Sequence, residues 1–335
     1  MARGFTGVFV RTLHRILVTG GAGFIGSAFI RYLLRQSDFT GHIVNYDLLT
    51  YAANQEMTSL KHPRYHFIQG DICNQRFIEQ LLLEHEIDTI VHFAAESHVD
   101  RSIQSAAPFI ETNVKGTLHL LEAVKKLPHI HFHHVSTDEV YGTLGESGCF
   151  NEHSPYRPNS PYAASKAASD HVVRAFTVTY RLSTTLSHCS NNYGPGQFPE
   201  KFIPLMIHHC LEGKPLPVYG QGAQVRDWLY VDDHAAAIWT ILQKGKSGEV
   251  YDIGAGAEWT NLNLLHLLID LLAEHTRADP ERYRAQIRFV QDRPGHDFRY
   301  ALDASKIQRE LGWKSETPLP TGLKKTIRSY CRARV

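Results

Sequence analysis

The chain has 335 residues, with 35 Lys+Arg against 34 Asp+Glu, a formal net charge of +1, and 43% hydrophobic and 21% charged residues. So balanced a charge leaves no electrostatic footprint for a polyanion, and nucleic acid is excluded as an expected partner. The hydrophobic share suits a globular enzyme of one large domain or two lobes, and no apolar run approaches the ~18 residues a membrane helix needs.

Residues 1–14 read as an extension ahead of the first strand, since Gly7-Val8-Phe9-Val10 is too short for the core of a signal peptide. The five cysteines, Cys73, Cys149, Cys189, Cys210 and Cys331, form no C-x-x-C pair, which predicts reduced thiols and a cytoplasmic location. Arg15 to Gly20 then reads as a buried parallel strand, followed by Gly20-Gly21-Ala22-Gly23-Phe24-Ile25-Gly26 and a helix to about Leu34. Strand, glycines and helix in that order are the context of a dinucleotide fingerprint. Backbone at Gly20, Gly23, Phe24, Ile25 and Gly26 approaches a pyrophosphate whose charge sits at the helix N-terminus. Asp47 ends the second strand about twenty residues on, where a carboxylate holds the ribose 2′-hydroxyl and repels a 2′-phosphate, so the predicted cofactor is NAD.

Further strands are predicted over Tyr65 to Ile68, Thr89 to Ala94, Ile130 to Val135 and Thr184 to Cys189. Helices over Gln75 to Glu84, Ala107 to Lys125 and Ala163 to Tyr180 separate them. The alternation predicts a doubly wound parallel (Rossmann) α/β sheet over 15–190. Asp71 and Ile72 follow the third strand on the adenine side, and Ala94, Ala95 and Ser97 follow the fourth, beside the nicotinamide half. His129, His131 and His133 alternate on one strand without a carboxylate or cysteine at ligand spacing, so no metal is expected.

Ser136-Thr137-Asp138-Glu139 closes the fifth strand, and Tyr162-Ala163-Ala164-Ser165-Lys166 opens the next helix. Two acids and a hydroxyl therefore meet a phenol and an amine that share one helix face. A phenol near pKa 10 is a poor base at neutral pH, and a neighbouring ammonium favours its phenolate. After about Asn191 short strands, Pro/Gly joints and helices mix. This predicts a smaller mixed substrate-binding lobe over 191–335, with Glu249 to Ile253 returning to the main sheet. Arg226, Asn261 and Arg293 are its candidates for gripping an anionic substrate.

Thr19 to Gly26 together with Tyr162-x-x-x-Lys166 resembles the extended short-chain dehydrogenase/reductase superfamily. Within it, five stretches resemble the 4,6-dehydratases of dTDP-glucose: Ala94 to Ser102, Ser136 to Gly142, Ser190 to Lys201, Arg226 to Val231 and Asp292 to Asp297. The resemblance implies NAD-dependent dehydration of a nucleotide-activated hexose. It implies Tyr162 as base at the 4-hydroxyl, Lys166 tuning it and holding the nicotinamide ribose, and Thr137 bonded to the sugar. Asp138 is then the acid for the 6-hydroxyl and Glu139 the base at C5. It places Thr112 and Asn192 on the cofactor side, and Ser97, Asn191, Glu200 and Lys201 at the substrate. Arg226, Asn261, Arg293 and His296 fall around the nucleotide. It also implies a homodimer built as a four-helix bundle. His188, Ala53 and the segment Gly254 to Trp259 depart from the family pattern. The rival readings are a 4,6-dehydratase or 4-epimerase of a UDP-sugar, and a catalytically inactive NAD-binding regulatory protein.

Overall fold

The structure is a computed structural model and describes residues 11–332. Its strands are β1 (Arg15–Thr19), β2 (His42–Asp47), β3 (Tyr65–Gln69), β4 (Thr89–His92), β5 (His131–Thr137), β6 (Thr184–Cys189), β7 (Asn191–Tyr193), β8 (Leu216–Tyr219), β9 (Val225–Tyr230), β10 (Val250–Ile253), β11 (Glu258–Thr260) and β12 (Ile287–Val290). Seven of them form one sheet in the order β10-β6-β5-β4-β1-β2-β3, with every neighbouring pair parallel. All residues of β4, β5 and β6 are buried, as a sheet covered on both faces requires.

The two faces follow from the period of two along each strand. Ile16 and Val18 point into one core, with Phe29, Ile30 and Leu33 of the helix Phe24–Arg35 and Ile238, Ile241 and Leu242 of the helix Val231–Lys244. Leu17 points into the other, with Ile78, Leu81, Leu120, Val124, Val173 and Phe176 from Gln75–Glu84, Thr117–Lys126 and Pro161–Tyr180. The strand order reverses between β1 and β4, which opens a crevice at their carboxyl ends. The helix predicted from Ala107 is interrupted: Ala107–Phe109 runs into a π-helical stretch, Ile110–Gly116, before Thr117–Lys126. Gly116 lies where a Cβ would stand 2.4 Å from Ile72 Cδ1, so the wide turn lets this helix pass close to the cleft wall.

The smaller lobe holds the sheets β11-β9-β7 and β12-β8 and the helices Phe202–Glu212, Asn261–Thr276 and Leu319–Arg332. Ile207, Leu216, Trp228, Leu264, Leu268 and Leu323 form its own core. β10 leaves this lobe and pairs with β6 in the main sheet. Of the extension over 1–14, residues 1–10 lie outside the described residues. Arg11 N–H donates to Gln243 O at 2.8 Å and Leu13 is buried, so 11–14 lie along the end of Val231–Lys244. His131 and His133 spend their ring nitrogens on Ser183, Thr185 and Ser187. Burial lowers the His131 pKa to about 3.

Gly20 has φ +69°, and a Cβ there would meet Ala94 N at 2.5 Å. Gly20→Ala is expected to lower unfolding free energy by about 1–3 kcal/mol, read from urea denaturation. An unchanged midpoint would contradict this reading of the turn.

Candidate active site

The glycine turn is tied to β2 by Asp47. Its Oδ2 accepts from Ala22 N at 2.9 Å, and its Oδ1 accepts from Leu49 N at 2.8 Å. Each carboxylate oxygen keeps a second lone pair for a ribose hydroxyl. Gly26 packs so closely on Gly20 that a Cβ would stand 2.4 Å from its carbonyl oxygen. The helix Phe24–Arg35 starts at Gly23 with no side-chain cap, leaving its first N–H groups for an anion. This cradle and acid fit a dinucleotide with a free 2′-hydroxyl. Gly20, Gly23, Phe24, Ile25, Gly26, Asp47, Asp71, Ile72, Ala94, Ala95, Ser97, Thr112, Tyr162, Lys166 and Asn192, all predicted on the cofactor side, line one cleft. Asn192 is held by His234 Nδ1, 2.8 Å from its Oδ1.

At the inner end of the cleft, Thr137 finishes β5 and caps the short turn Asp138–Tyr141, its Oγ1 accepting from Glu139 N at 3.3 Å. The same hydroxyl donates to Asp138 Oδ1 at 3.2 Å. Asp138 is buried and its Oδ2 has no partner. A buried carboxyl with an unpaired oxygen is far better neutral than ionised. Burial, and then the charge of Glu139, push its pKa well above the usual carboxylate range. Burial also raises Glu139, against the pull of Arg293, Arg226 and Lys201.

Tyr162 and Lys166 project from the first turns of Pro161–Tyr180, which Ser160 caps by accepting from Ala163 N at 3.1 Å. Burial, and then Glu139, push Tyr162 well above its ordinary value, and a hydrogen bond with Thr137 pulls it back. Lys166 donates to Val135 O at 2.9 Å, and its Nζ lies 3.4 Å from His134 Nε2. The group that lowers the Tyr162 pKa in this structure is therefore Thr137, while the lysine ammonium is anchored to β5.

Ser97, Thr137, Asn191, Glu200 and Lys201, predicted for the substrate, line the same cleft. Glu200 accepts from Tyr51 OH at 2.9 Å, and Lys201 Nζ donates to Ser97 O at 2.9 Å, so this pair bridges the rim. Arg226, Asn261, Arg293 and His296 are not brought into that lining. Arg226 is buried, donates to Asp297 O at 2.9 Å and lies over the Tyr300 ring. Arg293 lies 3.6 Å from Asp100 and His296 Nδ1 lies 2.6 Å from Asp292. Asn261 N–H donates to Gln224 O at 2.9 Å. Cys189, Glu96 and Phe198 also line the cleft and were missed by sequence reasoning. For Cys189 and Glu96 the available signal was their place at or just beyond the carboxyl ends of β6 and β4.

A reversed parallel sheet, a glycine cradle beside an acid and a Tyr-x-x-x-Lys pair facing it define an extended short-chain dehydrogenase/reductase. A family model described as GDP-mannose 4,6 dehydratase matches residues 17–326. The dTDP-glucose 4,6-dehydratase of Neisseria gonorrhoeae is 52% identical over 330 residues, covering 94% of this chain and 95% of that protein. A Streptomyces venezuelae dTDP-glucose 4,6-dehydratase with NAD and TYD bound is 47% identical, with TM-score 0.89, covering 96% of this chain and 98% of that one. The UDP-glucose 4-epimerase of Thermotoga maritima, with UDP-glucose, is 29% identical with TM-score 0.86, covering 96% and 100%. The chain belongs to the GDP-mannose 4,6 dehydratase family, and within it to the dTDP-glucose 4,6-dehydratases.

Two outcomes follow from the cleft's electrostatics. The folded Asp138 pKa lies above its unfolded value, so ionising this group costs stability as pH rises through the folded pKa and costs nothing below about pH 4. Asp138→Asn is therefore expected to raise Tm at neutral and alkaline pH relative to wild type, with the gain vanishing in acid. Asp47→Ala removes the anchor of the glycine turn and the acceptor for a 2′-hydroxyl. It is expected to weaken NAD binding at least tenfold by calorimetry, about 1.4 kcal/mol.

Proposed function

We propose that this protein converts dTDP-glucose to dTDP-4-keto-6-deoxyglucose by an NAD-dependent loss of water. The observation that carries the proposal is the buried, half-unpartnered Asp138 next to Glu139 in the cleft that also holds Tyr162 and Lys166. A 4-epimerase needs the redox pair alone, whereas elimination needs an acid for the leaving oxygen and a base for the adjacent carbon. The Gly20–Gly26 turn and Asp47 would hold NAD, which would supply the hydride acceptor for C4 and the hydride donor for C6. Tyr162 takes the proton of the 4-hydroxyl, and Thr137 orients that hydroxyl. The resulting 4-ketone acidifies C5, from which Glu139 removes the proton. Asp138, held neutral by its burial, protonates the departing 6-hydroxyl, and water leaves; as hydride reaches C6, C5 is reprotonated. Lys166 keeps the redox end positive, and Ser97, Asn191, Glu200 and Lys201 hold the sugar and diphosphate. Arg226, Asn261, Arg293 and His296 serve the nucleotide end of the smaller lobe, so that 15–190 carries cofactor and catalysis and 191–335 mainly the nucleotide.

The reading extends to assembly and location. Ile110 and Val178 are exposed apolar side chains on the helical segments Ile110–Gly116 and Pro161–Tyr180. Covering these side chains with the same surface of a second copy would form a four-helix-bundle homodimer. Cys73, Cys149, Cys189 and Cys210 are free thiols, and no helix among the described residues is long and apolar enough to cross a membrane. Both features suit a cytoplasmic enzyme.

Formation of a 4-keto-6-deoxy sugar from a panel of dTDP-, UDP-, CDP- and GDP-hexoses tests the reading, with turnover expected on dTDP-glucose. Tyr162→Phe is expected to prevent enzyme-bound NADH from forming. Asp138→Asn is expected to form it and stall, with overall turnover down about 10²–10⁴-fold. Equal NADH accumulation in both variants would overturn this division of roles. Light scattering at micromolar concentration is expected to give twice the chain mass.

A further inference from the structure

Behind the catalytic lysine lies a row of buried charged groups that the mechanism above does not use. Lys166 and Asp170 stand four residues apart on Pro161–Tyr180 and share one helix face. His134 of β5 lies between them, its Nε2 3.4 Å from Lys166 Nζ and 3.2 Å from Asp170 Oδ1. The other Asp170 oxygen accepts from Ser136 Oγ at 2.9 Å and lies 3.2 Å from His188 Nε2. His188 Nδ1 lies 2.9 Å from Asp252 Oδ1 on β10. None of these four side chains is more than 2% exposed. Charges so completely removed from water persist only when paired.

We propose that Asp170 is the positioning residue of the catalytic lysine: through His134 its carboxylate holds Lys166 as an ammonium at the cleft, and His188 clamps that carboxylate from behind. This deepens the reading of Tyr162 and Lys166 as the redox end of a dehydratase and rests on it. Unprotonated at Nε2, His134 accepts from Lys166, and the Asp170 carboxylate lies 3.2 Å from the same nitrogen. Ammonium and carboxylate thus meet at one ring nitrogen, and the carboxylate acts on the ammonium across it.

The charge states agree with this geometry. Burial works against the Lys166 charge, and Asp170 is the first group to oppose that effect. Burial, and then Lys166, lower the His134 pKa to about 4, so the ring is neutral. Burial also opposes charge on His188, but its bonds to Asp170 and Asp252 raise its pKa to about 9. Asp170, despite burial, is lowered by His134 and His188 and is ionised. The other titratable neighbours do not supply the missing anion. Burial keeps His92, packed on His134 from β4, neutral. It raises Cys189 beside His188, and also Tyr156 and Tyr141, whose hydroxyls bond His188 Nε2 at 2.8 Å and Nδ1 at 2.9 Å, so these stay protonated. Glu152 is spent on Asp252 N–H at 3.0 Å, and Asp138 and Glu139 act on Tyr162 from across the cleft.

A merely structural ion pair and a positioning residue differ in one readout. Asp170→Asn and Asp252→Asn each take one carboxylate from His188 with little change of shape, but only Asp170 faces His134 and Lys166. The measurement is the single-turnover rate of C4 oxidation on dTDP-glucose, followed by NADH absorbance from about pH 6 to 10, the range in which a perturbed lysine titrates. Without its anion Lys166 loses its proton at lower pH. The alkaline limb is expected to move down by about one pH unit in Asp170→Asn, with a roughly tenfold lower rate near pH 9. Asp252→Asn is expected to keep the wild-type limb and lose only thermal stability. Should Asp170→Asn fold poorly, the double variant D170N/H188N removes opposite charges together and is expected to show the same shift. An unmoved limb in the Asp170 variants, or an equal shift in Asp252→Asn, overturns the proposal. Wild-type protein that forms no bound NADH with dTDP-glucose overturns the functional reading as well.

Discussion

The close packing of the helix Pro161–Tyr180 across β5 and β6 is the contact on which the catalytic geometry depends. Ala163, Ser165, Ala167 and Ser169 are small and buried, so the helix backbone comes near the sheet. That approach buries the intervening face, on which Lys166 and Asp170 stand four residues apart. Each must therefore find its partner in the protein. Lys166 finds the Val135 carbonyl and Asp170 finds Ser136, both on β5, and Ser165 is tied through Asn113 to the backbone of Glu96. A rotation of this helix by one residue, about 100°, would orphan all of them at once. The contact thus specifies a single helix orientation as well as holding the reactive groups.

The main sheet was legible because its strands are short runs of apolar or β-branched residues punctuated by glycine and acid, and such runs have few alternatives. β10 could be placed for the same reason. The smaller lobe was legible only as a change of texture. β7 is three residues long, Asn191–Tyr193, and two of them are asparagines. β8 contains Pro217, and its pairing with β12 is a contact between segments some seventy residues apart. Neither carries a local period, so tertiary pairing decides them. The π-helical stretch over Ile110–Gly116 was also hidden, because its apolar spacing differs from an ordinary helix by a single residue.

The site divides along the same line. Its cofactor half is encoded by backbone conformation at Gly20 to Gly26 and by an acid at a strand end, which are local features. Its catalytic half rests on two short motifs whose ends the sheet topology brings together. The side chains proposed for the nucleotide end are different: Arg226 and Arg293 are placed by Asp297, Tyr300 and Asp100, which no spacing connects to them. The row His134, Asp170, His188 and Asp252 draws on β5, a helix, β6 and β10. Only Lys166 and Asp170 within that region share a local period, and nothing in it announces that His134 of β5 would stand between them.

Asp138, Glu139 and Tyr162 act on one another strongly enough to order the chemistry. Glu139 raises both other groups, and Asp138 raises Tyr162 as well. Burial raises all three. In so dry a cleft a second anion is far costlier than the first, so the three acids titrate as a unit that favours a single negative charge. In the proposed reaction, with Glu139 ionised, Asp138 keeps the proton for the leaving hydroxyl, and Tyr162 yields its own only when substrate and positive charge arrive together. If Glu139 takes the C5 proton as proposed, its charge is neutralised, and the penalty on ionising Asp138 falls at the moment Asp138 gives its proton away. The adjacency of Asp138 and Glu139 thus couples the base's gain of a proton to the acid's loss of one, which is the coupling that loss of water from neighbouring carbons requires.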